Sequence, residues 1–259
     1  MEHSSETTAA SDLHSCIVYE DADIVVLNKP TGIAVHGDGR NTAPTVVDWF
    51  LSYVPSAAGV GEPAPEADDG AAIDRSGVVH RLDRDTSGVL VLVKHQAAHQ
   101  HFKQQFHDRL AHKTYRAFVY GAMKEWLGTI DRPIGRSARD WRLRSAERGA
   151  KGTLRDAVTR WELIGSGECQ GEVYSYIELT PETGRTHQLR VHMKAIDHPI
   201  VHDPLYAGKR LEQSHNLDFT RLALHAYVLD VEDLQGEQQH FVAPVPPAFD
   251  IAADYIASK

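Results

Sequence analysis

The sequence predicts an α+β fold built on a large, mostly antiparallel mixed sheet with flanking helices. Eight short runs with apolar or alternating patterning, bounded by turn residues, read as strands, whereas helical periodicity occurs in only three places. Strands and helices do not alternate regularly, as a parallel sheet with crossover helices would require. With 259 residues, 42% of them hydrophobic, the chain can bury a sizeable core.

Residues 1–13 are polar and predict a disordered tail, leaving 14–259 as a single domain. Ile17-Val18-Tyr19 and Ile24-Val25-Val26-Leu27 predict two strands across the acidic turn Glu20–Asp23, and Asn28-Lys29-Pro30-Thr31-Gly32 ends the second with a proline-glycine turn. A short helix is expected over 45–54. Residues 55–70, rich in Pro, Ala, Gly and acid, predict a disordered excursion. The apolar run Val89–Val93 predicts a strand. A helix follows over 97–110, with Phe102, Phe106 and Leu110 at intervals of four. Residues 114–120 alternate, with Tyr115, Ala117 and Val119 on one side and Arg116, Phe118 and Tyr120 on the other. Further strands are expected over 157–164 and 173–179. Pro181-Glu182-Thr183-Gly184 then turns into a helix whose apolar stripe is Leu189, Met193 and Ile196. Short strands over 223–229 and 240–245 complete the pattern.

No segment approaches the roughly 20 apolar residues that span a bilayer, and the N-terminus lacks the apolar centre of a signal peptide. Cys16 and Cys169 are too few for a disulfide framework or a thiolate metal site, so a reducing, cytoplasmic setting is expected. The net charge of −9 argues at first against a nucleic-acid partner, but its distribution reverses that reading. Residues 1–74 carry 2 basic and 13 acidic side chains, residues 75–210 carry 23 and 15, and residues 211–259 carry 2 and 8. The densest basic run is Arg132, Arg136, Arg139, Arg142, Arg144, Arg148, Lys151, Arg155 and Arg160. Phosphate backbones respond to such local patches rather than to the total charge. By itself the run also fits a solvated arginine-rich loop.

The segment with the most chemistry is Val79-His80-Arg81-Leu82-Asp83-Arg84-Asp85-Thr86-Ser87-Gly88, ahead of the Val89–Val93 strand. Arg81 and Arg84 flank Asp83, so its carboxylate can be held ionised and still face a pocket. Taken alone, Asp83 also fits a turn aspartate bonded to its own backbone. The pattern His-Arg-Leu-Asp followed by Thr-Ser-Gly resembles the central motif of the RluA-type RNA pseudouridine synthases. Val25–Gly32 resembles that family's Lys-Pro motif, Lys113-Thr114-Tyr115-Arg116-Ala117 its tyrosine motif, and Thr183–His192 its arginine motif. His198-Pro199-Ile200 and Arg221–Ala226 match later blocks, so the resemblance covers roughly residues 15–245 in order. Two departures stand out. His202-Asp203 occupies the place of a common glycine-aspartate pair, and the S4-type RNA-binding domain that many members carry is not expected within these 259 residues.

The resemblance implies the pseudouridine synthase fold with a central RNA-binding cleft, and conversion of specific uridines in structured RNA, ribosomal or transfer, to pseudouridine. It implies that Asp83 is the essential carboxylate, either as nucleophile at C1′ or as the base that removes a C2′ proton. Arg190 matches the arginine that pairs with this aspartate, and lies off the Leu189–Met193–Ile196 stripe. Tyr115 matches the tyrosine that lies against the target base and takes the C5 proton. Arg81 is implied in displacing the target nucleotide from its stack. Lys29 and Arg185 are expected phosphate contacts, His187 and Arg221 further RNA contacts, and Leu222 and Leu224 packing against the base or the tyrosine. Asp85 suits a turn-forming role. No cofactor, membrane or obligatory protein partner is implied.

Three other functions share some of these residues. Sixteen histidines invite a metal site, but His187 and His192 are five apart, about 140° around a helix, and no cysteine cluster supplements them. A glycosidase or nucleosidase also attacks an anomeric carbon with a carboxylate, yet requires a second acid/base carboxylate, for which only Asp85 is near in sequence. A non-catalytic RNA-binding protein would use the basic run without needing Asp83, Tyr115 and Arg190.

Overall fold

The computed structural model describes residues 13–39, 42–62, 73–140 and 143–257. The chain divides into two units, Met1–Ala111 with Val228–Pro244 and His112–Tyr227 with Val245–Lys259.

In the first unit, β1 (Ile17–Glu20) and β2 (Ile24–Lys29) pair antiparallel. The turn between them is set by Asp21, whose Oδ1 accepts the N–H groups of Asp23 and Ile24 at 2.8 Å each. Helix α1 (Val46–Tyr53) begins with a capping box in which Thr45 and Asp48 satisfy each other's backbone N–H. Strand β3 (Ser87–Val93) pairs antiparallel with β2 from Ile24↔Val93 to Lys29↔Gly88, and all seven of its residues are buried. A run of consecutive apolar residues suits a strand covered on both faces. Helix α2 (Gln96–Asp108) stops at Arg109, which adopts a left-handed conformation with φ 62°. The predicted apolar stripe therefore ends at Phe106. Leu110 lies past the helix and is 61% exposed.

In the second unit, β4 (His112–Tyr120), β5 (Leu127–Asp131), β6 (Ile134–Arg136), β7 (Arg144–Ser145), β8 (Lys151–Arg155), β9 (Val158–Cys169) and β10 (Glu172–Pro181) precede α3 (Gln188–Ala195) and the short α4 (Arg210–Gln213). Strands β4, β10, β9 and β5 pair antiparallel in that order, and β7, β6 and β8 form a separate three-stranded sheet. A two-residue turn, Gln170 (φ 51°) and Gly171 (φ 82°), joins β9 to β10, the positive-φ geometry that matches strand twist in tight hairpins. Strand β11 (Leu224–Glu232) runs out of this unit and pairs in the first with β12 (Gln238–Val242). Helix α5 (Pro247–Ala257) returns to the second, where Phe249 joins an aromatic cluster with Phe118, Tyr176 and Phe219.

The α+β class holds, and the named strand pairs are antiparallel. Several local expectations need correction. Residues 1–12 of the expected tail lie outside the described residues, but Leu13 is fully buried and leads into a 3-10 turn, His14–Cys16. Of the expected 55–70 excursion, 63–70 lie outside the described residues. Its first part is ordered: Pro55–Ala57 forms a 3-10 turn, Ala57 is fully buried, and Gly59 N–H donates to Ser76 Oγ at 2.9 Å. The arginine-rich run is not a plain loop, since it forms β6–β8 over a small apolar core of Ile134, Ala146, Ala157, Val191 and Tyr206. Strand β9 runs five residues past the expected end because Gly167 is not a breaker. A Cβ there would lie 1.9 Å from the carbonyl oxygen of Ile256, so glycine lets α5 rest its backbone on the sheet. Among the described residues no helix is long and apolar enough to cross a membrane.

Candidate active site

The loop carrying Asp83 is clamped at several backbone points. At its start, His80 Nε2 accepts the Val91 N–H at 2.9 Å, while the ring stacks on Phe106 at 4.6 Å between centroids. An imidazole nitrogen that accepts an amide N–H carries no proton, so the His80 proton sits on Nδ1. At the loop's turn, Thr86 N–H donates to the Asp83 carbonyl at 3.1 Å, and Leu82 and Thr86 are buried on either side. The half-buried Asp83 side chain is thus carried on a backbone with little freedom. Asp85 forms an exposed ion pair with Arg84 at 3.1 Å and accepts the Thr31 hydroxyl on its carbonyl at 2.9 Å, in line with a turn-forming role.

Lys29 needs a different assignment from the expected phosphate contact. Its side chain is fully buried, and its ammonium donates to the carbonyls of Pro30 (2.8 Å), Ile33 (2.9 Å) and Arg84 (3.1 Å). An ammonium has three protons, and here it donates to three backbone carbonyls, of which that of Ile33 is buried and those of Pro30 and Arg84 part-buried. Gly32 N–H adds a bond to the Arg84 carbonyl at 2.9 Å. The Lys-Pro motif therefore holds the Asp83 loop in place. The Lys29→Met variant leaves one buried and two part-buried carbonyls without their cation and is expected to lose about 2–3 kcal/mol of stability by urea unfolding. The salt dependence of its RNA affinity should stay that of wild type, whereas loss of a phosphate contact would lower the slope by about 1 at little cost in stability.

Arg81 is exposed, and its Nη1 donates to His36 Nε2 at 3.3 Å. His36 Nδ1–H donates to the Gly37 carbonyl at 2.7 Å, and burial pushes its pKa down. Both residues line a cavity of about 520 Å³ beside the Asp83 loop, together with Thr45, Arg75 and Arg84.

The second unit holds the remaining candidates. Tyr115 lies on β4 opposite Leu179 of β10 and is 9% exposed. Lys113, two residues earlier on the same face of the strand, has its ammonium near Gly184, and burial pushes its pKa below the usual lysine value. Arg190, although it lies off the Leu189–Met193–Ile196 stripe, is 2% exposed. Its Nε and Nη2 fork onto Asp203 Oδ2 and Oδ1, both at 2.8 Å. Asp203 is fully buried and also accepts the N–H groups of Leu205 (2.9 Å) and Tyr206 (3.1 Å). The guanidinium lies over the Tyr206 ring at 5.1 Å. A bidentate pair fixes the plane and direction of Arg190. Nothing in the sequence around Asp203 signals that Arg190 pairs with it.

His187 caps α3 in a left-handed conformation, and its Nδ1 lies 2.8 Å from the Tyr206 hydroxyl, which accepts the Arg144 N–H at 3.1 Å. Arg185 is half-buried and directed by a bond from Nε to the Asp156 carbonyl at 3.0 Å. Arg221 reaches its neighbour's carbonyl, Leu222 O, at 3.4 Å. Leu222 and Leu224 are 1% and 3% exposed, on either side of Ala223, which bonds Phe118 and Val201 in ladder fashion.

His192 is fully buried, donates from Nε2 to the Arg132 carbonyl at 2.9 Å and accepts the Thr159 hydroxyl on Nδ1 at 2.9 Å. Burial lowers its pKa, so the folded state holds the ring neutral. An unfolded histidine protonates near pH 6.5, so this contribution is complete above that pH and is lost as pH falls toward the lower folded value. Urea unfolding of wild type between pH 7 and 5 should therefore show falling stability. The fall should be smaller by on the order of 1 kcal/mol in His192→Gln.

A family model described as RNA pseudouridylate synthase matches residues 23–195. An uncharacterised RNA pseudouridine synthase of Synechocystis is 36% identical over 244 residues, covering 94% of this chain and 69% of that one. Ribosomal large subunit pseudouridine synthase D of Xanthomonas campestris is 38% identical over 247 residues, covering 92% and 68%. Among solved structures, human RNA pseudouridylate synthase domain containing 1 superimposes with a TM-score of 0.72 at 26% identity, covering 97% of this chain and 90% of that one.

Proposed function

The chain belongs to the RNA pseudouridylate synthase family, enzymes that isomerise uridine within RNA, and on that premise we propose that it acts on ribosomal RNA of the large subunit, with Asp83 as the reacting carboxylate. The observation that carries this reading is the Asp83 loop itself. Its backbone is fixed by Lys29, Gly32 and His80, which leaves a half-buried carboxylate with a defined position. The target is taken from relatives named for the large ribosomal subunit; transfer RNA is the second candidate.

The reaction breaks the C1′–N1 bond, turns the uracil and joins C1′ to C5; the proton on C5 leaves for solvent and N1 gains one. A carboxylate serves either route through it, as nucleophile at C1′ or as base at C2′. Tyr115 is assigned to the C5 proton, and Arg190 supplies a directed positive charge. Arg81 is assigned to displacing the nucleotide, beside a cavity rich in arginine. Arg185, His187 and Arg221 are assigned to the RNA, and Leu222 and Leu224 to apolar packing around the base. The reading requires no cofactor or protein partner and places the protein in the cytoplasm with its substrate.

Tritium release from RNA labelled with [5-³H]uridine tests it. Release from ribosomal but not transfer RNA is the expected result. Release from transfer RNA alone would move the substrate, and release from neither would remove the proposal.

A further inference from the structure

Strands β7, β6 and β8 set cations against one another. Arg136 on the central strand is opposite Arg144 on one side and Lys151 on the other, and Arg155 is opposite Ile134 one step along. Like charges facing across a ladder destabilise a sheet. The rest of the basic run shows how such repulsion is usually relieved: Arg160 pairs with Glu182, and Arg132 bonds the Ala195 carbonyl. Among the described residues no carboxylate pairs with Arg136, Arg144, Arg155 or Arg185.

These four arginines converge on one cavity of about 310 Å³, lined also by Gly135, Gly184 and Thr186 and by no acidic residue. The cavity is built rather than accidental. Gly135 has no room for a side chain, since a Cβ would lie 2.7 Å from Leu154 and 2.8 Å from the Lys151 carbonyl, and Arg185 is directed by its bond to Asp156. Planar guanidiniums match the non-bridging oxygens of a phosphate better than point charges do. We infer that this cavity seats a backbone phosphodiester of the RNA substrate and takes no part in breaking bonds. The inference rests on the RNA-modifying reading above. It adds Arg136, Arg144 and Arg155 as phosphate-binding residues and gives Arg185 a defined pocket.

The test compares wild type with Arg136→Gln/Arg155→Gln, two exposed positions where substitution should leave the fold intact. The probe is the [5-³H]uridine-labelled ribosomal RNA pool. The double variant should bind it about tenfold more weakly, with a slope of log K against log salt shallower by roughly 1 to 2. Its single-turnover tritium release at saturating enzyme should match wild type. Unchanged affinity and slope, or a slower saturating rate at unchanged affinity, would overturn the inference. A second arm adds about 1 mM inorganic phosphate at constant ionic strength. RNA should stay bound; displacement of RNA from wild type but not from the double variant would make the cavity a site for free anions instead. If wild type released no tritium but the affinity and slope differences held, the catalytic reading would fail while the phosphate seat stood.

Discussion

Arg190→Ala should lose about 3–5 kcal/mol of stability, the cost of stranding a buried carboxylate. Asp203 is fully buried, and its two oxygens meet Arg190 at 2.8 Å each. Removing the guanidinium leaves the negative charge facing only the N–H groups of Leu205 and Tyr206. The ring of Tyr206 loses the cation above it as well. Arg190→Lys keeps the charge but not the planar fork, and should fall between wild type and alanine. Arg190→Met combined with Asp203→Leu removes both charges. It should recover part of the loss but not all, because Leu205 and Tyr206 then lack an acceptor. Urea unfolding of the three variants reads this order directly. A loss under 1 kcal/mol in Arg190→Ala would mean that the pair is solvated and that Arg190 is not positioned by Asp203.

Asp83→Asn should abolish turnover, by on the order of 10⁴-fold or more, as removal of a reacting nucleophile does elsewhere. Its stability should stay within about 1 kcal/mol of wild type, since the Thr86 bond of the loop is made to the Asp83 carbonyl, which asparagine keeps. RNA affinity should change little, because contacts to phosphate do not run through a carboxylate. The combination of lost rate, kept fold and kept binding separates a chemical role from a structural one. A turn aspartate would show the opposite pattern, with stability lost and rate kept.

The parts of this protein legible in the sequence are those where local pattern and tertiary role agree. The apolar runs at 24–27 and 89–93 are strands because nothing in them suits solvent, and the alternation at 114–120 appears as β4. Where a residue type serves an unusual role, the reading failed. Lys29 looks like a surface cation in sequence, and only the fold reveals three carbonyls gathered around it. Gly165-Ser166-Gly167 reads as punctuation, yet Gly167 is there for the approach of α5. Helix α5, absent from the expected elements, does carry a local signal, with Pro247 at its first turn and Phe249, Ala252 and Ile256 at helical spacing. Asp203 carries no local signal, because its partner is thirteen positions away and on another element. For the site, the motifs named the candidate residues, but the supporting bonds that hold Asp83 and Arg190 in place came only with the structure.

The measurement closest to the central claim is nucleoside analysis of the RNA after complete turnover, run beside tritium release. An isomerase must form one pseudouridine for each tritium released, with no free uracil and no abasic site. That one-to-one result is predicted for wild type, with neither product in Asp83→Asn. Free uracil would show that the C1′–N1 bond is cleaved without being replaced, and would make the protein a nucleosidase instead.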